Sequence, residues 1–297
     1  MQQTVRTRGL FWGGVLLAAW STGCSGSATC DNASIEGYRT IEQDGTTREY
    51  ILHVPSSYDA SSAEPMGLVV VFHGNGMCAS NFTSAESAAS MDAVGDAQNV
   101  LIAYAQGLVR SKGAAEFDPS NSESTDLAES DLAYVDAMLA DIQEDYTLDS
   151  ERIYAAGYSN GGMMTYGLAC HRGDVFQSFG ILSGIMLPDT TCNPEHTPSI
   201  VHFHGTSDFS IPFDGSGNFP AVSDTINFWL GHNGISADTV ETTSLNNGSV
   251  TRDAYTGGTN NSAVVLYTIQ DGGHIWFEDA IGGESPNAIL WDFFTRE

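Results

Sequence analysis

Seven short apolar runs punctuate this chain, at positions 50–54, 68–72, 100–104, 153–156, 178–182, 200–203 and 264–269. They are rich in Val, Ile, Leu and aromatic residues and show little polar alternation, as expected of strands buried on both faces. Longer segments between them repeat their apolar residues at helical spacing. The clearest has Leu132, Val135, Met138, Leu139 and Ile142 on one stripe, with acidic residues at other positions and Ser130 as a candidate cap. A stretch over 287–294 reads as a closing helix that anchors the loop before it. Such alternation predicts an α/β architecture with a mostly parallel central sheet flanked by helices. With 297 residues, 41% of them hydrophobic, the chain can bury a substantial core, and it shows no internal repeat.

The run ending at Ala156 meets Gly157-Tyr158-Ser159-Asn160-Gly161, and a helix-forming stretch follows from Met163. A strand that turns abruptly into a helix strains its apex residue, and the flanking positions must lack side chains for the two elements to pass. Gly157 and Gly161 meet that demand, so Ser159 is expected at the tip of a nucleophile elbow. A second strand-like run, Leu68 to Phe72, stops at His73-Gly74-Asn75-Gly76. A turn of this kind offers backbone N–H groups to a developing oxyanion, as does the residue after the nucleophile. The expected donors are the N–H groups of Asn75 and Asn160, with His73 holding the loop rather than performing chemistry.

A serine hydroxyl needs a general base, and that imidazole needs a carboxylate to set its tautomer. The strand-like run over 200–203 leads into His204-Gly205-Thr206-Ser207-Asp208, which puts Asp208 in a loop past a strand's carboxyl end, where open α/β sheets place their sites. The last run leads into Gln270-Asp271-Gly272-Gly273-His274. His274 is the expected base and Asp208 the expected acid. Asp214 competes for the second role but lies beyond Pro212. His202 and His204 fall within or at the edge of a strand, where imidazoles are usually packed or hydrogen-bonded, while His53, His171, His196 and His232 have no strand-end context.

On these segments the chain resembles the secreted poly(3-hydroxybutyrate) depolymerase and feruloyl esterase family, which overlaps carbohydrate esterase family one. The resemblance runs from about Gly37 to Phe294. It rests on His73-Gly74, Gly157-Tyr158-Ser159-Asn160-Gly161-Gly162-Met163-Met164, His204-Gly205-Thr206-Ser207-Asp208, Gly272-Gly273-His274 and Leu290-Trp291-Asp292-Phe293-Phe294. It implies an α/β-hydrolase fold, ester hydrolysis through an acyl-enzyme with no metal or other cofactor, and polymeric or polymer-attached ester substrates, while the sequence itself shows no inserted segment long and apolar enough for a large lid. Two departures bear on acyl specificity rather than on the reaction. The segment 107–130, where relatives often carry tryptophan, has Phe117 as its one aromatic residue, and the turn after the histidine reads Ile275-Trp276-Phe277 in place of Thr-Trp-Pro. Residues 120–126, polar and turn-rich, read as a mobile rim.

Arg6 and Arg8 precede an apolar stretch over 10–20 that is short for a membrane span and is followed by small residues, the pattern of an export leader. Ser21-Thr22-Gly23-Cys24 resembles a lipoprotein processing site, with Cys24 the candidate for lipidation. The expected division is a signal peptide over 1–23, a linker over 24–36 and one catalytic domain over 37–297, acting outside the cell or tethered to its outer surface. Lipidation of Cys24 would leave Cys30, Cys78, Cys170 and Cys192, for which three pairings exist. Cys170 with Cys192 would tie the helix after the elbow to a following loop, and Cys30 with Cys78 would brace the oxyanion loop. No Cys/His spacing points to a metal site. A formal charge of −27 repels polyanions and argues against nucleic-acid partners, while a neutral polyester or polysaccharide ester meets no such barrier. Two other functions fit parts of the pattern: a serine peptidase of prolyl-oligopeptidase type, which shares the elbow, and a non-catalytic glycan-binding lipoprotein on the same scaffold.

Overall fold

The computed structural model describes residues 30–43, 45–62, 64–110, 113–118, 126–188, 190 and 192–296. The leader, Cys24 and residues 120–125 of the expected rim lie outside them. Among the described residues twelve strands and five α-helices follow one another as β1 (Tyr38–Gln43), β2 (Thr46–His53), β3 (Met66–Phe72), α1 (Asp92–Gln98), β4 (Val100–Ala105), β5 (Leu108–Val109), β6 (Ala115–Glu116), α2 (Asp126–Asp145), β7 (Leu148–Tyr158), α3 (Asn160–His171), β8 (Ser178–Leu182), β9 (Ser199–Gly205), α4 (Val222–Asn233), β10 (Glu241–Leu245), β11 (Val250–Tyr255), β12 (Val264–Ile269) and α5 (Pro286–Phe294).

Ten strands form one sheet in the order β1-β2-β4-β3-β7-β8-β9-β12-β11-β10. The six central strands, β4 to β12 in that order, run parallel, and antiparallel hairpins extend both edges. Each apolar run of the sequence lies in a strand of this sheet, apart from Val54, which falls one residue past β2. Side chains alternate between two buried layers. Leu68, Val70 and Phe72 join the layer of α2, α3 and α4, while Val69 and Val71 join that of α1 and α5. Two covered faces explain why these runs are predominantly apolar, with few polar side chains among them. β1, β10 and β11 are half exposed and polar at many positions, so the hydrophobic pattern does not mark them.

Three expectations change. α2 begins at Asp126, one turn before Ser130, so Ser130 is inside the helix and does not cap it. The stripe itself is buried as expected. The described part of the expected linker, Cys30 to Glu36, is largely exposed but tied down through Asn32. Asn32 is fully buried and donates to Gln106 Oε1 (2.8 Å) and Glu49 Oε2 (3.0 Å), and its own oxygen accepts from the Ser80 N–H (3.2 Å). A buried amide must satisfy all its polar atoms, and here that demand fixes the segment to β2 and the loop after β3. Finally, Asp126, read as part of the rim, is helical.

Disulfides join Cys30 to Cys78 and Cys170 to Cys192, across 48 and 22 residues. In the chain-entropy picture each contributes about 3 to 4 kcal/mol by restricting the unfolded chain. The first ties the N-terminal segment to the loop after β3; the second ties the C-terminal end of α3 to the loop after β8.

Candidate active site

β7 ends at Tyr158 and α3 starts at Asn160, leaving Ser159 alone at the turn with φ 55° and ψ −118°. That left-handed conformation is costly for a non-glycine residue and is held by its surroundings. The Ser159 N–H donates to Leu182 O (2.9 Å), and its carbonyl accepts from the Met163 N–H (3.0 Å). A Cβ on Gly157 would meet the Gly161 carbonyl, and one on Gly161 would meet that of Phe72, so both glycines are required for α3 to pass over β7 and β3.

The loops after β9 and β12 deliver the other two side chains. Ser159 Oγ lies 2.8 Å from His274 Nε2, and His274 Nδ1 lies 2.8 Å from Asp208 Oδ2. Three residues distant in sequence thus stand in series at the carboxyl ends of parallel strands. The two loops brace each other: Ser207 N–H donates to Gly272 O, Thr206 N–H to Ile269 O, and Asp271 N–H to Thr206 Oγ1. Above them Tyr158 Oη donates to His274 O (2.9 Å) and Ser183 Oγ to Ile275 O (2.9 Å). Behind them Trp276 Nε1 donates to Asn287 Oδ1, and Asn287 Nδ2 donates to Ala88 O and Ser90 O. α5 therefore anchors the histidine loop to the segment before α1. Asp214 is exposed and, among the described residues, has no hydrogen bond or ion pair with His274, whose Nδ1 partner is Asp208.

The Asp208 side chain is fully buried. Its Oδ1 accepts from the Ser210 (2.9 Å) and Ile211 (2.8 Å) N–H groups, and its Oδ2 accepts from His274 with His204 Nε2 at 3.4 Å. Burial, the largest single influence, raises its pKa, but the hydrogen bonds from His274 and Ile211 and the fields of His274 and His204 together outweigh it. The carboxyl is therefore held below its ordinary value. A carboxylate so placed sets the His274 tautomer, with Nδ1 protonated and Nε2 free to accept the serine proton.

His202 and His204 are hydrogen-bonded core residues, as their strand positions implied. Ile211 O can only accept, so His204 Nε2 (2.8 Å away) must be the protonated nitrogen. His204 Nδ1 then accepts from His202 Nε2 (3.0 Å), and His202 Nδ1 accepts from Tyr166 Oη (2.6 Å). Burial pushes both imidazoles below their ordinary pKa, so this chain of donors is neutral. No spacing in the sequence signals it.

His73 is likewise buried and structural. Its Nδ1 donates to Gly74 O (2.7 Å), its Nε2 accepts from the Gly107 N–H (3.0 Å), and burial lowers its pKa to about 4. In the turn it holds, the Asn75 N–H has no acceptor among the described residues, and the Asn160 N–H, at the first position of α3, has no intrahelical one. These are the two N–H groups expected to face an oxyanion. Sequence reading did not anticipate the apolar side chains beside the series: Phe209, next to Asp208, is 93% exposed, and Ile275, next to His274, is 46% exposed.

A family model described as Esterase PHB depolymerase matches residues 49–197. The chain is 28% identical over 279 residues to a probable feruloyl esterase C of Aspergillus flavus, covering 92% of this chain and 90% of that one. It is 27% identical over 252 residues to feruloyl esterase C of Emericella nidulans, covering 83% of each. Among solved structures, an acetyl xylan esterase from Aspergillus awamori superposes with a TM-score of 0.61 at 13% identity, over 87% of this chain and 99% of that one. The shared architecture is the α/β-hydrolase fold.

Proposed function

Because the chain belongs to the PHB depolymerase esterase family and is a carboxylic ester hydrolase, we propose that Ser159, His274 and Asp208 carry that hydrolysis, on esters that form or decorate a polymer. The observation that carries the reading is the unbroken series from Ser159 Oγ through His274 to Asp208 at hydrogen-bonding distances. In the first step Ser159 Oγ bonds to the ester carbonyl carbon while its proton passes to His274 Nε2. The N–H groups of Asn75 and Asn160 stabilise the oxygen that becomes negative. Collapse of the tetrahedral intermediate breaks the bond to the alcohol, which leaves with the proton from His274. Water then adds to the acyl-enzyme, giving its proton to His274, and the acid departs as Ser159 recovers its hydrogen.

The names of the relatives, feruloyl esterase C, and of the structural neighbour, acetyl xylan esterase, favour polymer-attached acyl groups as substrates. The exposed Phe209 and Ile275 suit an apolar acyl group or polymer face next to the reacting residues. The net charge of −27 suits a neutral polymer. Release of acid from feruloylated xylan, acetylated xylan or hydroxybutyrate oligomers is the expected result, measured by chromatography with each at equal ester concentration. Faster cleavage of a matched amide would favour the peptidase reading. Failure of the protein to react with a fluorophosphonate probe, together with retained xylan binding, would favour the non-catalytic one.

Two disulfides fit a protein that works outside the reducing cytosol, where the leader would send it. A lipid on Cys24 would hold the enzyme at the outer surface. Mass spectrometry of the mature N-terminus is expected to find Cys24 first and diacylated, and an unmodified N-terminus elsewhere would remove the tether.

A further inference from the structure

The β5–β6 hairpin and the residues after it touch both groups proposed to bind the oxyanion. Asn160 Oδ1 accepts from the Phe117 N–H and Asn160 Nδ2 donates to Phe117 O, both at 2.8 Å. The side chain thereby satisfies the whole peptide edge of Phe117, as a neighbouring strand would. On the other side Gly76 N–H donates to Ala115 O (2.8 Å), and Asn75 Nδ2 donates to Glu116 Oε2 (2.6 Å). The Phe117 ring fills the space between, 5.3 Å from Phe72 and 4.8 Å from His73 in ring centroids. One short segment, 115–117, is therefore bonded to the residue after the nucleophile and to the turn that follows β3.

The segment is itself held by buried charge. Arg110 donates to Glu116 O (2.9 Å) and pairs with Asp131 Oδ2 (2.6 Å), which also accepts from the Asp118 N–H (2.7 Å). Arg48 pairs with Asp131 Oδ1 (2.7 Å), and its guanidinium lies 3.8 Å from the centre of the Tyr134 ring. Two guanidiniums sharing one buried carboxylate make a geometry that is expensive to distort. The ion pairs run from β2 through the hairpin to α2, away from the reacting atoms.

We propose that the segment 115–117 is a clamp that fixes the spacing of the two oxyanion N–H groups, with the Asn160 side chain as its positioning residue and the Arg110–Asp131 pair as its anchor. The inference rests on the assignment of the Asn75 and Asn160 amides made above. Oxyanion stabilisation depends on donors already placed where charge will develop, and displacement of about 1 Å is enough to lose much of it. The clamp supplies that placement from outside the two elements that carry the donors. It also gives the loop that borders the site a role in rate rather than in acyl choice.

The test compares Asn160→Ala, which keeps the backbone N–H but loses both bonds to Phe117, with Arg110→Met, which frees the anchor and touches no proposed reacting group. Asn160→Ala is expected to lower kcat on a p-nitrophenyl ester by about tenfold to a hundredfold with KM within about threefold. Affinity for a trifluoromethyl ketone bearing the same acyl group should fall in proportion to kcat. Arg110→Met should shift kcat in the same direction by less, and the double variant should lose less than the product of the two single losses, because both act through one segment. A folded Asn160→Ala or Arg110→Met enzyme with unchanged kcat and inhibitor affinity would overturn the clamp; if Asn160→Ala does not fold, Arg110→Met alone decides. Should Ser159→Ala remain active, the underlying assignment fails instead.

Discussion

Ser159→Ala is expected to reduce turnover of a p-nitrophenyl ester by about three orders of magnitude or more, with the fold intact. The hydroxyl is the one atom at this position that forms and breaks a bond in the proposed sequence, and no neighbouring group can take its place in line with His274 Nε2. What holds residue 159 in its left-handed conformation is backbone: the N–H to Leu182 O and the carbonyl to Met163 N. Alanine retains both, so circular dichroism and the thermal midpoint should match the parent. The residual rate should come from water attacking an ester held by the two N–H groups, and a fluorophosphonate should label the parent and not the variant. Activity near that of the parent would refute the nucleophile assignment, and loss of activity with loss of structure would leave the His274 and Asp208 variants to decide it.

The sheet's interior was legible because burial on both faces leaves little choice of residue: every apolar run became a central strand or β2. The edges were not, since β1, β10 and β11 satisfy one wet side with Thr, Glu, Arg and Ser and so look like loops. Ser159, Asp208 and His274 could be picked out because each follows an apolar strand and is attended by glycines, two local features. Their meeting is a consequence of strand order, β7-β8-β9-β12, which no local signal contains. Asn160 shows where such reading stops. It was singled out for its backbone N–H, yet its side chain binds a peptide 43 residues away, and neither Asn160 nor Phe117 carries any mark of the other. The neutral chain from Tyr166 to His204 is hidden for the same reason. The segment from Cys30 to Glu36 has a polar, linker-like composition and exposes most of its residues, yet one buried amide, Asn32, ties it to the domain, which no local pattern marks.

Asp208→Asn is expected to cost about three to four orders of magnitude in kcat although it changes one atom, and the reason lies in which oxygen each donor uses. Oδ1 accepts two backbone N–H groups, from Ser210 and Ile211, which cannot turn away. The asparagine carbonyl must therefore take the Oδ1 position, and its NH2 the position of Oδ2. There it faces His274 Nδ1–H at the former 2.8 Å, donor against donor. Of the groups around it, only the His274 imidazole can adjust. His204 is fixed as an Nε2 donor by Ile211 O, whereas His274 can move its proton to Nε2 and accept at Nδ1. That tautomer presents N–H to Ser159 Oγ in place of a lone pair, and the base is lost while every heavy atom stays where it was. NMR of the imidazole nitrogens should show the proton on Nδ1 in the parent and on Nε2 in the variant, with KM little changed. A variant within about tenfold of the parent in kcat, or one with the proton still on Nδ1, would show that Asp208 does not set the tautomer of His274.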